Sequence, residues 1–574
     1  MDKVPKKIKM IKNRINNIRK SFNSLNIDGY IIPKSDEFFS EYSKPDRLKI
    51  ISNFSGSAGL AVVLRKKNYL FVDGRYTIQA YLESGKNFKI RRYQEIINCK
   101  LFKNLTLGID PKVFTSIQIK KFFLKNNKIK EVKRNLVDKI HKNFSSQEKP
   151  FFSISKEIVG ESHFKKINKI SNYLKKEKSN YLFVSAPENV AWLLNIRGYD
   201  NPNSPIPNCR LLINDKKKIY LIAYNKKTSK LIKEKKISKK QIIEPKELEL
   251  FVAKQKKGRI IVDNNTCSLH FENLFKKYFL ISKKEDPIYY LKSIKTEKEI
   301  KNMIDCHILD GAALTKFLYW MKEVNKKEIT EFDAQNKLEA FRKLNDKYMF
   351  PSFNTIAGAG ENGAIVHYRA TKKKSKKIKK KDIFLCDSGG QYKYGTTDVT
   401  RTICFSKPTK YIKNIFTKVL KGHIAVTTTN LKKNYTGRLI DVRARKYLKR
   451  VGLNYEHGTG HGVGFYSNVH EGPQAISKYN NVRMQKGMII SNEPGYYKKG
   501  SFGIRIENLI YIKRIKKNIF FENLTLAPID KDLINKEQLN KEEKNYLFRY
   551  HLNVYSKLSE FLNHKEKIWL ASFI

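Results

Sequence analysis

The sequence predicts an α/β (α+β) chain: two N-terminal α/β units of like architecture, then a larger region of short strands that ends in helices. Three observations carry this. A strand-and-helix pattern near the start returns, degenerate, about 150 residues later. From about Pro287 the texture changes to long amphipathic segments and then to apolar runs punctuated by glycine. Hydrophobic residues make up 40% of the 574 positions and aromatics 12%, enough for real cores and too much for wholesale disorder.

Residues 1–150 make the first unit. A basic, helix-like segment leads into GYIIPK, a short β run ended by proline. GLAVVL and NYLFVD follow as two strands joined by RKK, and YTIQAYLES reads as a helix after Asp73, Gly74 and Arg75. Residues 151–290 make the second unit. There NYLFVSAPENVAWLLNI parallels GYIIPKSDEF and its sequel, and RLLINDKKKIYLIAY parallels AVVLRKKNYLFVD. The stretch EPKELELFVAKQKKGR within it reads as a linker.

Residues 291–574 make the third. TEKEIKNMIDCHILDGAALTKFLYWMKE is a long amphipathic helix, with Thr296 as N-cap and Glu299 at capping-box spacing. A second helix is expected near ITEFDAQNKLEAFRKL, and then a run of short strands with glycine turns. From about Asp530 the chain is charged and helix-like to its apolar end, IWLASFI.

Lys and Arg total 116 against 54 Asp and Glu, a formal net charge of +62. Such a charge suits a polyanion surface. The lysines, however, are spread along the whole chain with abundant Asn and Ile, as drift in an AT-rich coding sequence would give. No zinc finger or RNA-recognition module is visible, so nucleic acid would bind only nonspecifically. The densest run, TKKKSKKIKKK at 371–381, reads as a solvated loop. Two windows are free of Lys and Arg: Pro351–Tyr368 and Val451–Ser477. At the chain-wide frequency of 116 in 574, about five or six would fall in the 27 positions of the second. Buried strands, or a site that holds cations, would exclude them.

No apolar run approaches the ~18 residues of a membrane span, and the basic N-terminus lacks the apolar core of a secretory signal. The cysteines Cys99, Cys209, Cys267, Cys306, Cys386 and Cys404 form no CxxC pair. Neither a disulfide framework nor a thiolate zinc site is expected, and a reducing cytoplasm fits best.

Four segments of the third region carry chemistry. In IFLCDSGGQYKYGTTDVTRTICF, two apolar β runs flank a glycine turn; Asp387 ends one and Asp398 begins the other. A carboxylate within an apolar strand is costly unless something positive pairs with it. YEHGTGHGVGFYSNVHEGP gathers His457, His461 and His470 within 14 positions; its glycines argue against a helical zinc motif. MIISNEPGYY places Glu493 directly after an apolar strand. FGIRIENLIYI reads as one clean alternating strand, with Arg505 and Glu507 on one face and Ile504 and Ile506 on the other. Taken singly, each is more often a turn residue, an ordinary strand charge or a core histidine. Together they supply hard oxygen donors with imidazole, a set suited to Mn²⁺ or a similar divalent ion. Four carboxylates suffice for two ions sharing ligands. Such a site lowers the pKa of a shared water from about 15.7 towards neutrality and polarises a carbonyl, which is hydrolytic chemistry.

LCDSGGQYKYGTTDVTRT, HGTGHGVG, NVHEGP, SNEPGYY and GIRIEN closely resemble the signature segments of the Xaa-Pro aminopeptidases (aminopeptidase P). That family belongs to the pita-bread metallopeptidases, with prolidase and methionine aminopeptidase. YIIPKSDEFFSEY, GSAGLAVV and VDGRY are similar to the first domain of its long, three-domain form. ENVAWLLNIRG is similar to the second domain, and LTLAPIDKDLI with NYLFRYHLNVYSKL to the C-terminal extension. The resemblance implies two creatinase-like domains, a pita-bread catalytic domain, two divalent ions (Mn²⁺ foremost), a homodimer, and peptides with proline in second position as substrates.

Carried over by position, Asp387, Asp398, His461, Glu493 and Glu507 would be the metal ligands, with Asp398 and Glu507 bridging. His367 in AIVHYRA would lie near the substrate. His457 and His470 would line the pocket and stabilise the tetrahedral intermediate, and Arg505 would balance the acidic cluster. Glu493 would handle the proton, and His470 and His367 would bond the oxyanion or the departing proline nitrogen. That nitrogen belongs to a tertiary amide with no N–H, so the pocket must recognise a ring. Two departures stand out: Tyr394 replaces an acidic residue, and Arg369 with the lysine run replaces a more neutral loop. A prolidase-like dipeptidase and a non-catalytic binding module of the same fold are the alternatives.

Overall fold

The computed structural model describes residues 3–42, 44–97, 102–123, 125–141, 149–324, 326, 328–433 and 435–574; Cys99 lies outside them. Contacts divide the chain into two units. The first is Met1–Ser155, Ser162–Pro202 and Ile206–Ile288. The second is Lys156–Glu161, Asn203–Pro205 and Tyr289–Ile574.

The first unit holds two six-stranded sheets. One is built from β1 (Gly29–Pro33), β2 (Gly59–Leu64), β3 (Asn68–Val72), β4 (Lys89–Arg92), β5 (Thr106–Ile109) and β6 (Lys128–Glu131), in the order β4-β3-β2-β1-β5-β6. The other is built from β7 (Tyr181–Val184), β8 (Arg210–Asn214), β9 (Ile219–Ile222), β10 (Ile242–Ile243), β11 (Arg259–Val262) and β12 (Leu280–Lys283). Its order is β10-β9-β8-β7-β11-β12, the same permutation shifted by six. The directions match as well. The β1–β2 and β2–β3 pairs are antiparallel and β1–β5 is parallel. Likewise β7–β8 and β8–β9 are antiparallel and β7–β11 is parallel. The degenerate sequence repeat is thus a repeat of topology. Its central strands, such as Leu182, Phe183 and Val184, are fully buried, which is why they read as continuous apolar runs.

One expectation fails here. EPKELELFVAKQKKGR is not a linker: it contains a helix, Leu248–Ala253, whose Leu248 and Val252 enter the core. Its Lys and Glu residues occupy the wet face, and their density masked an i, i+4 apolar pair.

The long helix of the second unit is Glu297–Glu323, capped by Thr296 and Glu299 as expected. The helix Glu331–Lys343 follows. The strands are β13 (Tyr348–Pro351), β14 (Ile356–Ala359), β15 (Ile383–Ser388), β16 (Gly390–Tyr392), β17 (Gly395–Thr396) and β18 (Val399–Cys404). Next come β19 (Gly460–Gly462), β20 (Glu471–Ile476), β21 (Ile489–Asn492), β22 (Gly495–Lys498), β23 (Phe502–Arg505), β24 (Asn508–Ile515) and β25 (Asn518–Asn523). They pair as β14-β15-β18, β13-β16-β17, β20-β19-β21-β24-β25 and β22-β23. The expected run of short strands omitted two helices, Lys410–Thr427 and Gly437–Lys449, which stand between β18 and β19. Both carry apolar residues at helical spacing, Ile415, Phe416, Val419 and Leu420 in one and Ile440, Ala444 and Leu448 in the other.

FGIRIENLIYI is not one continuous strand. It is broken at Ile506 and Glu507 into β23 and β24, which belong to different sheets. The parity survives the break, since Ile504 and Ile506 both join the core. Among the described residues, no helix is long and apolar enough to cross a membrane. The five described cysteines are buried and free.

Candidate metal centre

The site is assembled from strand ends. β15 pairs antiparallel with β18, which sets Asp387 opposite Thr400 and leaves Asp398 just before β18. Glu493 follows β21, and Glu507 sits in the break between β23 and β24. His461 is the middle residue of β19. The flanking glycines serve close approach: a Cβ on Gly460 would stand 1.8 Å from the Ser491 carbonyl oxygen of β21. This explains the alternating glycines that superficially suggest a phosphate loop.

Asp398, His461 and Glu507 bring donor atoms within 4.8 Å of one another, a grouping able to hold a metal ion. His461 Nε2 lies 3.4 Å from Asp398 Oδ2 and 3.6 Å from Glu493 Oε1. Its Nδ1–H donates to the Gly462 carbonyl oxygen at 2.9 Å. That bond turns Nε2 towards the carboxylate oxygens of Asp398 and Glu493.

Arg505 Nη2 donates to Asp387 Oδ2 at 2.5 Å, while Asp387 Oδ1 is buried without a hydrogen-bond partner. Thr400 Oγ1 donates to Glu507 Oε2 at 2.7 Å and accepts from Arg505 Nε at 3.0 Å. So Arg505 and Glu507 do reach the same side, as their parity requires. Burial, with the neighbouring Asp398 and Glu493, pushes Asp387 up to about 7 against the lowering effect of the Arg505 guanidinium. Burial together with Asp398, Glu493 and Asp387 raises Glu507 well above the ordinary carboxylate range. Burial also acts to raise Glu493, but His461, His457 and Arg505 outweigh it and hold that carboxyl below its usual range. Four carboxylates against one guanidinium leave a formal excess of three negative charges at the cluster.

Burial holds the His457 imidazole down to about 4, so the ring is neutral near pH 7. Its Nδ1–H donates to the Gly458 carbonyl at 2.7 Å, and its Nε2 accepts from the Tyr497 hydroxyl at 2.9 Å. Arg505 Nη1 donates to that same hydroxyl at 2.6 Å. His470 is exposed and stacks edge-on against His461 with ring centroids 4.2 Å apart, so it faces the open side. His367 lies half-buried on the loop after β14, one residue before Tyr368.

Sequence reasoning missed several supporting residues. Tyr497, in the quoted SNEPGYY, links His457 to Arg505. Ser491 accepts from the His461 backbone N–H at 2.9 Å and donates to Glu493 Oε1 at 3.1 Å. Glu471, next to His470, forms ion pairs with the buried Lys292 and Lys295. The window that lacks basic residues therefore receives them from elsewhere in the chain, at fixed points.

Buried strand-end carboxylates converging with an imidazole, one oxygen orphaned, fit divalent ions, and together with this fold they define a metallopeptidase. Residues 301–514 match the family description "Metallopeptidase family M24". Residues 14–134 and 141–299 each match "Creatinase/Prolidase N-terminal domain", and 518–572 match the C-terminal region of the M24 peptidases. A probable Xaa-Pro aminopeptidase P of Laccaria bicolor is 35% identical over 587 residues, covering 96% of this chain and 90% of its own. Xaa-Pro aminopeptidase 1 of Dictyostelium discoideum is 35% identical over 612 residues, covering 98% and 96%. The chain belongs to the Xaa-Pro aminopeptidase family of M24 metallopeptidases. The crystal structure of X-prolyl aminopeptidase from Caenorhabditis elegans, described as a cytosolic enzyme with a di-nuclear active site, is similar at TM-score 0.90 and 28% identity. It covers 98% of this chain and 99% of its own. A prolidase from Pyrococcus horikoshii is similar at TM-score 0.52 and 27% identity, over only 64% of this chain.

Proposed function

We propose that this chain is a metal-dependent aminopeptidase that removes the first residue from peptides with proline second. The observation that carries the reading is the uncompensated acidic cluster. Asp387, Asp398, His461, Glu493 and Glu507 would hold two divalent ions, with Mn²⁺ the expected metal for such oxygen-rich ligation. When bound, the ions supply an activated water and polarise the carbonyl before proline.

The chain's own residues do the rest. Glu493 takes the proton of the attacking water and returns it to the departing nitrogen. His470, on the open side, and His367 donate hydrogen bonds to the developing oxyanion or that nitrogen. His457, held neutral by burial, stiffens the pocket wall through Tyr497. Arg505 holds Asp387 in place and offsets part of the cluster's charge.

The domain layout we propose is 1–150, 151–290 and 291–574, with a helical extension from about 530. The whole-length similarity to aminopeptidases, against the partial coverage by prolidase, supports the longer-peptide reading. We assign the chain to the cytoplasm as a homodimer, on the likeness to a cytosolic relative and on the family resemblance; light scattering checks the mass. The test of function is hydrolysis of a proline-second tripeptide beside an Xaa-Pro dipeptide. Cleavage of the tripeptide is expected. Activity confined to the dipeptide would make the chain a prolidase, and no cleavage of either with metal present would leave a binding module.

A further inference from the structure

The lysine run 371–381 is only partly the solvated loop its sequence suggests. Ile378 is 1% exposed and joins the core, and its N–H donates to the Ile329 carbonyl at 3.0 Å. The fully buried Glu331 acts as the anchor. Its carboxylate accepts from the Ala359 N–H at 2.8 Å, Asn362 Nδ2 at 2.9 Å, the Tyr368 hydroxyl at 2.7 Å and the Lys376 N–H at 3.1 Å. Lys376 Nζ pairs with Glu361 at 2.8 Å and lies 3.7 Å from Asp382. The Tyr368 hydroxyl also lies 3.0 Å from the Lys374 carbonyl oxygen. The turn of Lys372–Lys374 is therefore fixed within one tyrosine side chain of the residue next to His367.

The chain that leads into His367, not the lysine run itself, borders the acidic cluster at two points. Ile356 of β14 is paired with Asp387. Gly363 meets Gly503 so closely that a Cβ on Gly503 would stand 1.8 Å from its carbonyl oxygen, two residues before Arg505. Lys372, Lys373, Lys374, Lys377, Lys379, Lys380 and Lys381 are exposed. Among the described residues none of these seven makes an ion pair, because the nearby Glu361 and Asp382 are taken by Lys376. A peptide cut at its first bond leaves the pocket by the rim, with its later residues outermost. Exposed cations anchored beside the residue next to His367 would attract such carboxylates.

We propose that this anchored lysine turn is a subsite for acidic peptides, favouring substrates that carry Asp or Glu downstream of the proline. The proposal rests on the aminopeptidase reading above. The experiment compares kcat/KM for Ala-Pro-Glu-Glu-NH2 and Ala-Pro-Gln-Gln-NH2 in the metal-loaded full chain. Three proteins are used: unaltered, Lys372→Gln/Lys373→Gln/Lys374→Gln, and a control, Lys216→Gln/Lys217→Gln/Lys218→Gln. The control removes three exposed lysines from a turn of the other unit. Three charges acting at about 10 Å through water should lower the acidic-to-neutral ratio about five- to tenfold at about 10 mM ionic strength. The drop should shrink to about twofold at 0.15 M. An unchanged ratio, an equal loss on both peptides, or the same drop in the control would overturn the proposal while leaving the peptidase reading intact. Failure of the unaltered chain to cleave the neutral peptide would sink that reading, and the subsite with it.

Discussion

Two acidic clusters lie in the second unit, and they differ in what answers their charge. At Cys404, Asp530 and Asp532, donor atoms gather as if for a metal. Lys322 already fills the place: its Nζ donates to Asp530 Oδ2 at 2.8 Å, Asp532 Oδ2 at 3.0 Å and the Cys404 carbonyl at 2.7 Å. At Asp387, Asp398, Glu493 and Glu507, no lysine enters among the described residues. Arg505 binds one oxygen of Asp387 and leaves the other orphaned. Proximity of ligand-type side chains therefore does not mark a metal site. A buried negative excess that the protein itself leaves unanswered does.

The largest effect is expected from deleting one of the proposed ligands of the uncompensated cluster. Asp398→Ala or Glu507→Ala should lower kcat/KM on a proline-second tripeptide by about 10³ or more, with the circular-dichroism spectrum kept. Near-normal turnover by either variant would remove that residue from the ligand set. Asp530→Asn, in the compensated cluster, should behave in the opposite way. It leaves Lys322 short of its buried partner and costs about 3 kcal/mol of stability in urea unfolding, while specific activity of the folded protein stays within about twofold.

A smaller pair of effects concerns thermal and acid stability. Saturating Mn²⁺ at about 100 times its Kd should add about 2.7 kcal/mol per bound ion, about 5 kcal/mol for two, to the unaltered chain and to Asp530→Asn. Asp398→Ala should gain clearly less. Beside the compensated cluster, the buried His551 accepts from the Ile529 N–H at 3.1 Å. Burial, with Arg401 nearby, holds its pKa down to about 4. The unfolded chain binds that proton from about pH 6.5 downward and the folded one only near pH 4, so stability is lost as pH falls through this window. His551→Gln, which keeps an acceptor, should flatten the slope of unfolding free energy between pH 6.5 and 4 by up to about 3 kcal/mol in total. An unaltered slope would show that His551 does not govern it. The smallest expected change is Tyr497→Phe. It deletes one hydrogen bond to His457 and one from Arg505, and should cost about fivefold in kcat/KM, near 1 kcal/mol.

What the sequence made legible follows from local rules. Asp387 and Glu493 stood out because a carboxylate at the end of an apolar strand is anomalous within a few residues of itself. The Thr296 and Glu299 cap is local for the same reason, and the repeat of β1–β3 in β7–β9 was visible because buried strands write their pattern in apolar runs of four to six residues; the short outer strands β4–β6 and β10–β12 left no such mark. Tyr497, Thr400 and Ser491 were invisible because common polar types gain meaning only from distant partners. Thr400 meets Glu507 across 107 positions, and Glu471 meets Lys295 across 176. The break at Ile506 and Glu507 was hidden too, since side-chain parity continues through it while the hydrogen-bonding partner strand changes.

We propose that the Asp387–Glu507 cluster, and not the one that Lys322 compensates, holds the two divalent ions. Mass-spectrometric metal counting after equilibrium dialysis against Mn²⁺ tests it without reference to activity. About two ions per chain are expected in the unaltered protein and in Asp530→Asn, and fewer than one in Glu507→Ala. No bound metal in the unaltered chain, or two ions retained by Glu507→Ala, would contradict it.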